Sequence, residues 1–172
     1  MTLMVVVIVG AALVYVYYSI GMASVTGIRI DEVFADRNYV GGTFPNRNAT
    51  FTIEVQVWSN AQALNVRLEK PTFVVELSGV PNLILGSDTR DTSSIIPGAY
   101  LTYNLRFNIN ENKNFAAVSL SGNNVLVNMT TIATAGLFSH SLTERENAAW
   151  NWTTATLTLN AGCFDYTFNI PC

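Results

Sequence analysis

The fold of this chain is decided by its N-terminal stretch, which reads LMVVVIVGAALVYVYYSIGMA over residues 3–23. The stretch carries no charged side chain, and its apolar residues would occupy every side of a helix. A helix of that length measures about 31 Å, close to the roughly 30 Å hydrocarbon core of a bilayer. Because no face is polar, we expect lipid or other helices to surround it.

Three interpretations of this stretch compete. A cleaved signal peptide needs a basic region and a shorter apolar segment, and neither is present. A single-pass membrane anchor and a helix packed among copies of itself both stay open. Small residues at positions 10–12 favour close helix contacts. Tyr15, Tyr17 and Tyr18 indicate either an interfacial aromatic belt or hydroxyl partners on neighbouring chains.

The charges next to the helix bear on its orientation. No basic residue precedes it, whereas Arg29 and Arg37 follow it. Basic residues favour the cytoplasmic side, so this arrangement would draw the C-terminal domain inward. The cysteines and sequons described below predict export instead. We therefore hypothesise that Met1 begins a processed chain from which a basic leader is removed.

From about residue 25 the pattern becomes one of strands. Residues 51–58, FTIEVQVW, alternate apolar and polar side chains with period two. Stretches of similar composition follow at 64–68, 73–77, 100–109, 125–133 and 152–159. Since turn signals rather than amphipathic helices separate them, we predict an antiparallel, Ig-like β-sandwich of about seven or eight strands.

The predicted organisation has two parts. A hydrophobic helix covers residues 1–26, and an extracellular β-sandwich domain covers residues 27–172, with no linker between them. We expect residues 140–150, which carry Glu144, Arg145 and Glu146, to form a loop or one helical turn.

Charge is scarce throughout the chain. Only 12% of its residues are charged and the net charge is −3, against about one-quarter charged in a typical soluble domain. Lys70 and Lys113 are the only lysines, which excludes a basic nucleic-acid-binding surface. No Asp, Glu, Lys or Arg occurs at residues 114–143. We expect outer faces built from Asn and Thr, which let copies of the domain crowd together without strong repulsion.

Sequons and cysteines both predict an exported protein. Asn48, Asn128 and Asn151 begin N-x-T sequons and are candidate N-glycosylation sites, Asn128 being the weakest because it sits in a strand pattern. Cys163 and Cys172 lie nine positions apart, and we predict a disulfide that closes a short C-terminal loop. Two free buried thiols are the alternative.

Catalytic and metal-binding patterns are absent from the sequence. His140 is the single histidine, and its serine neighbours are adjacent in sequence, which is not how a triad is assembled. The acidic groups at residues 31–36 and 88–91 lack a calcium-binding ligand ladder. No phosphate-binding or dinucleotide fingerprint occurs. We predict no catalytic residues, no cofactor and no metal, and therefore a protein that is not an enzyme.

An uncharged N-terminal helix followed directly by a β-sandwich resembles an archaeal type IV pilin or a related adhesion-filament subunit. Val5 stands where bacterial pilins usually carry Glu, a departure that archaeal pilins share. The resemblance implies leader removal by a prepilin peptidase, a filament core of bundled helices and an often glycosylated sheath of β-domains. A weaker resemblance, over residues 51–110, is to the water-stress β-sandwich, and it supports the fold only.

From these observations we expect a structural subunit that polymerises with identical copies into an extracellular adhesion filament, after a stage in the membrane. Alternatives are a membrane-anchored β-sandwich that binds a partner at the cell surface, or a viral envelope or coat protein. The candidate polymerisation residues are Leu3, Val5, Val6, Val9, Leu13, Val16 and Ile20.

Overall fold

The structure is a computed structural model that describes residues 2–41, 48–61, 63–77, 84–109, 124–152, 164–165 and 170–171. It begins with one helix, α1 (Thr2–Thr26), and continues entirely in strands. The strands are β1 (Ile28–Gly41), β2 (Asn48–Ser59), β3 (Val66–Leu77), β4 (Ile84–Thr89), β5 (Ser93–Ile95), β6 (Tyr100–Ile109), β7 (Asn124–Ala135), β8 (Phe138–Trp152), β9 (Phe164–Asp165) and β10 (Ile170–Pro171).

Eight strands form a β-sandwich, as the sequence pattern predicts. They hydrogen-bond in the order β4-β3-β7-β8-β1-β2-β6, with β5 paired to β3. All pairings in this sheet are antiparallel except β1 with the end of β8, where residues 35–37 run parallel to residues 150–152. Strand β8 therefore joins the β3–β7 layer to the β1–β2–β6 layer. The two short strands β9 and β10 pair with each other.

The core lies between these two layers. Alternate residues of β2 and β3 point inward and are fully buried, among them Phe51, Ile53, Phe73 and Val75. The rings of Phe73 on β3 and Tyr103 on β6 meet across the interface with centroids 4.9 Å apart. Burial raises the pKa of Tyr103, whose hydroxyl lies 2.6 Å from the Ser93 hydroxyl. The side chains thus interdigitate as in a domain core.

Strand β3 keeps its apolar side chains on the core side by means of a β-bulge. Glu69 lies opposite Ile132 and Thr72 lies opposite Thr130, so β3 holds one extra residue between these two pairs. Lys70, at the bulge, has a φ of 41°. Without the extra residue, the second half of β3 would turn its apolar side chains to solvent, because side chains alternate with period two.

The two layers also meet at their edge strands, β4 and β6, through contacts made by Arg90 and Gly86. The Arg90 guanidinium donates a hydrogen bond to the backbone carbonyl of Asn104 on β6 and lies 2.7 Å from the Asp88 carboxylate. Gly86 on β4 faces the Phe107 ring so closely that a Cβ atom there would come within 2.1 Å of it. The hydrogen bonds of the Arg90 guanidinium are charge-assisted, and such bonds are stronger than those between neutral groups.

We expect Arg90→Met to lower the free energy of unfolding by roughly 1.5 kcal/mol, because it removes hydrogen bonds that involve a charged group. The measurement is thermal unfolding of the full chain in detergent, followed by circular dichroism, where each kcal/mol shifts the midpoint by about 2–4 °C in a protein of this size. Arg67→Met is the matched control, since Arg67 pairs with Glu69 on the exposed outer surface. Equal midpoints for the two variants would contradict this role of Arg90.

The expected loop or helical turn at residues 140–150 is wrong, because these residues belong to strand β8. The strand pairs with β7 residue by residue from Phe138 to Ala149. Its charged side chains obscured the strand pattern in the sequence: Glu144, opposite the fully buried Met129, lies on the inward side of β8. Tertiary burial here overrides the polar character of the segment.

The partial burial of Glu144 has a consequence for pH dependence. Burial raises the pKa of this carboxyl above its usual range. The folded-state pKa then exceeds the unfolded one, so the contribution of Glu144 to stability is complete below the unfolded pKa and is lost as pH rises through the folded pKa. We expect Glu144→Gln to unfold at a higher temperature than the parent at neutral pH.

This difference should vanish at about pH 4 and below, where a glutamate is largely neutral. Thermal unfolding of both chains across this pH range measures it. Glu32→Gln, at an exposed position on β1, removes the same unit of charge and separates a local burial effect from an effect of net charge. A Glu144→Gln advantage that persists unchanged in acid would contradict the assignment.

Candidate assembly surface

Most of helix α1 stands clear of the sandwich. Every large side chain from Met4 to Ile20 is exposed, with exposed fractions between 38% and 72%. Burial begins only at Gly21, and Ser24 and Val25 are fully packed against the domain. Among the described residues, the segment Met4–Thr26 is the one helix long and apolar enough to cross a membrane, a property that signal sequences share.

The predicted polymerisation residues all lie on this exposed part where their side chains are described. Val5, Val9 and Leu13 are more than half exposed, and Ile20 is the most shielded of the set. The side chain of Leu3 lies outside the described part of the chain. Together the large side chains from Met4 to Val16, each more than half exposed, form an apolar surface that surrounds the helix.

The last turns of the helix dock on the hairpin formed by β7 and β8. Gly21 lies against the ring of Phe138, where an added Cβ would come within 2.0 Å of a ring carbon. The rings of Tyr17 and Tyr18 also meet Phe138, with centroid distances of 5.4 and 5.5 Å. A glycine at position 21 is therefore required for the helix to approach this hairpin.

The helix ends at Thr26, and β1 begins at Ile28, so only Gly27 separates them. The Gly27 carbonyl accepts a hydrogen bond of 2.9 Å from the backbone N–H of Asn60. Near this end, the Ser24 hydroxyl donates to the carbonyl of Ile20 at 2.8 Å. The helix is held to the sandwich both by this short junction and by the hairpin.

The three sequons are placed differently. Asn128 lies in the middle of β7, and its side-chain N–H group donates to the Glu76 carboxylate at 3.2 Å while its buried amide oxygen has no partner. Asn48 begins β2, and Asn151 lies in the last part of β8. An asparagine in mid-strand whose side chain is held by a hydrogen bond is a poor glycan acceptor, which agrees with the expectation that Asn128 is the weakest candidate. Asn48 and Asn151 also pair within strands, and their side chains lie outside the described part of the chain, so both stay predictions.

Two further expectations concern the cysteines and ligand groups. Cys163 and Cys172 lie outside the described residues. Within the described ranges, no group of three His, Cys, Asp or Glu side chains is arranged to hold a metal ion. His140, on β8, has an exposed side chain.

Comparison with known proteins gives structural neighbours only. No family model matches the chain, and no curated protein matches it. A structural-genomics target named SoR45 has 12% identity and a TM-score of 0.45, covering 83% of this chain and 98% of its own. A protein from Archaeoglobus fulgidus has 11% identity and a TM-score of 0.38, with coverages of 70% and 96%. The putative ApaA protein from Bordetella pertussis has 8% identity and a TM-score of 0.44, with coverages of 71% and 95%. Similarity at this level bears on neither ancestry nor function.

The docking of the helix on the β7–β8 hairpin was missed by sequence reasoning. Two glycines mark it: Gly21 lies between Ile20 and Met22 in the helix, and Gly136 opens the turn between two strand patterns. A Cβ at Gly136 would come within 2.9 Å of the Tyr17 hydroxyl. The contact between the two segments could not be predicted from these glycines, because contacts between distant segments leave no periodic signal in one sequence.

Proposed function

We propose that this protein is a structural, non-enzymatic subunit of an extracellular helical filament of the archaeal type IV pilus kind, which serves adhesion. The observation that carries the proposal is the apolar surface of residues 4–20, exposed on all sides while the following turns are fixed to a folded domain. A single-sided interface would need only one apolar stripe. A helix at the centre of a bundle needs an apolar surface all round.

Polymerisation would bury these side chains against equivalent helices of neighbouring subunits. Burial of a Val or Leu side chain contributes roughly 1.5–3 kcal/mol relative to water. Subunits related by a rotation that does not close form an open helix rather than a ring. Relative to lipid most of this gain disappears, so departure from the membrane depends on close packing. Gly10 has no side chain, and a Cβ atom there would have no neighbouring atom within 4 Å. A helix of a neighbouring subunit can therefore approach α1 closely at this position.

The junction at Gly27 supports the same function. Because the helix continues into β1 with a single intervening residue and also contacts the hairpin, a subunit has one preferred angle between helix and sandwich. A fixed angle in every copy favours a regular lattice of outer domains around a helical core. The outer β-domain, poor in charge, allows those domains to lie side by side.

A membrane-anchored surface module is the second candidate, favoured by the length and composition of Met4–Thr26. Electron microscopy of material sheared from intact cells and of the detergent extract separates the two candidates. Filaments whose mass spectrum matches this chain support the pilus subunit. Dispersed detergent-soluble particles, with no filaments in the sheared fraction, contradict it and favour the anchored module. Recovery in virions would instead indicate a viral coat protein.

A further inference from the structure

The turn between β7 and β8 is apolar at its tip. Ala135 pairs with Phe138, which leaves Gly136 and Leu137 as a two-residue loop. Gly136 has a φ of 60°, and glycine at the first loop position is typical of tight hairpins. The tip residue, Leu137, is 89% exposed. Polar residues are usual at such positions, so leucine is an uncommon choice at this tip.

The hairpin holds this leucine at a defined height along the helix. Gly136 faces the Tyr17 hydroxyl, and Phe138 contacts the rings of Tyr17 and Tyr18. Crossing a hydrocarbon core of about 30 Å takes about 20 residues, which from Met4 ends at Ala23. Tyr17 and Tyr18 lie five to six residues before that end, or about 7–9 Å inside it. A helix that spans the bilayer therefore carries the hairpin tip to the headgroup–acyl boundary and several ångströms beneath it.

The surroundings of the tip are compatible with that depth. The sequence has no charged side chain at residues 114–143, which includes the whole of β7 and the first part of β8. The nearest charge on the neighbouring strand is Arg67, which lies opposite Thr134. Its side chain pairs with the Glu69 carboxylate at 3.1 Å, so the two charges nearest the tip on this strand offset each other. The hairpin tip that contacts the helix thus lies within the charge-free stretch of the sequence.

From this geometry we propose that the β7–β8 hairpin tip is a second membrane contact, inserting Leu137 into the interface of the bilayer beside the spanning helix. The inference rests on the membrane stage of the proposed function and adds to it a partner surface outside the helix. Apolar groups of interfacial segments enter to about 5–10 Å, which agrees with the height of the tip. Two contacts would fix the rotation of the sandwich relative to the membrane before assembly.

The test places an environment-sensitive NBD probe on Leu137→Cys in the full chain, labelled without reductant. The protein is incorporated in phosphatidylcholine–phosphatidylglycerol vesicles at a high lipid-to-protein ratio that keeps chains apart. Ile84→Cys is the matched control, since Ile84 is an exposed aliphatic residue (55%) on β4, near the opposite end of β3. The parent chain, treated identically, gives the background from the native cysteines. Unchanged unfolding midpoints verify that both variants fold.

We expect the probe at 137 to emit at shorter wavelength and to be quenched several-fold more strongly by shallow spin-labelled lipids than the probe at 84. Equal access of both probes to an aqueous quencher, in chains that float with the vesicles, overturns the inference. So does a blue shift at 137 that appears only at low lipid-to-protein ratio, since that indicates contact between copies. Failure of the chain to float overturns the membrane stage as well. Quenching at 137 in a chain that never forms filaments supports the membrane contact of the hairpin tip and contradicts the proposed function as a filament subunit.

Discussion

Cells that produce the Val9→Lys or Leu13→Lys variant should make no filaments, while the β-sandwich domain still folds. Both side chains lie on the exposed part of α1, where each is more than half exposed. A lysine there would have to be buried unpaired in the helix core, and at the centre of a membrane span it costs about 2.5–3.5 kcal/mol. Filaments are counted by electron microscopy, and folding is judged by protease resistance of the extracted chain.

Because lysine disfavours both a bundle and a bilayer, a second variant is needed to distinguish them. Gly10→Leu keeps the helix apolar, and the space around Gly10 is empty within one chain. Leucine also favours the helical state over glycine by nearly 1 kcal/mol. We expect it to leave membrane insertion intact and to abolish or sharply reduce filaments by separating the packed helices. Normal filaments in either lysine variant would contradict the central role of the helix, and normal filaments in Gly10→Leu would contradict close packing at that position.

Replacement of Gly21 by alanine should loosen the helix from the sandwich. The new Cβ would come within 2.0 Å of the Phe138 ring, so the ring or the helix must move. Overpacking of this kind costs about 1–3 kcal/mol, which over most of that range is more than the roughly 1 kcal/mol gained in helix propensity. We expect a lower unfolding midpoint and, in the assembled state, irregular or absent filaments because the angle between helix and domain is no longer fixed.

Gly10→Ala is the matched control, since it makes the same substitution in the same helix where nothing lies within 4 Å. It should leave the unfolding midpoint unchanged or slightly higher. A double variant, Gly21→Ala with Phe138→Leu, tests the mechanism directly because it removes the ring that the new methyl group meets. Recovery of part of the lost stability is the expected result. A Gly21→Ala chain as stable as Gly10→Ala would show that the docking contact contributes little.

The sequence predicted the architecture well where its signals are local. An uncharged stretch of the right length can only be a helix removed from water, and period-two alternation at residues 51–58 is the signature of a half-buried strand. It failed at residues 140–150, where Glu144 lies on the inward side of β8 despite its charge. A polar residue tolerated in a partly buried position cannot be recognised from composition, because its surroundings come from other strands.

The candidate assembly surface, too, was predicted from the sequence only where its signal is local. The exposed residues of α1 were predicted by number from apolarity alone, and the structure places those whose side chains it describes outside the sandwich. The turn at Gly136 and Leu137, by contrast, carries no functional signal in the sequence. Its importance arises only because β7 and β8 bring it beside Tyr17, more than a hundred residues earlier in the chain.

The sequence by itself determined that this protein has one long apolar helix, followed without a linker by a β-sandwich poor in charge, because hydrophobicity and side-chain period are properties of neighbouring residues. Only the tertiary structure decided how much of that helix stays free and at what height the sandwich is fixed to it. Those features depend on a close approach of Gly21 to Phe138, a contact between segments far apart in the chain whose geometry is set by the packing of the whole domain.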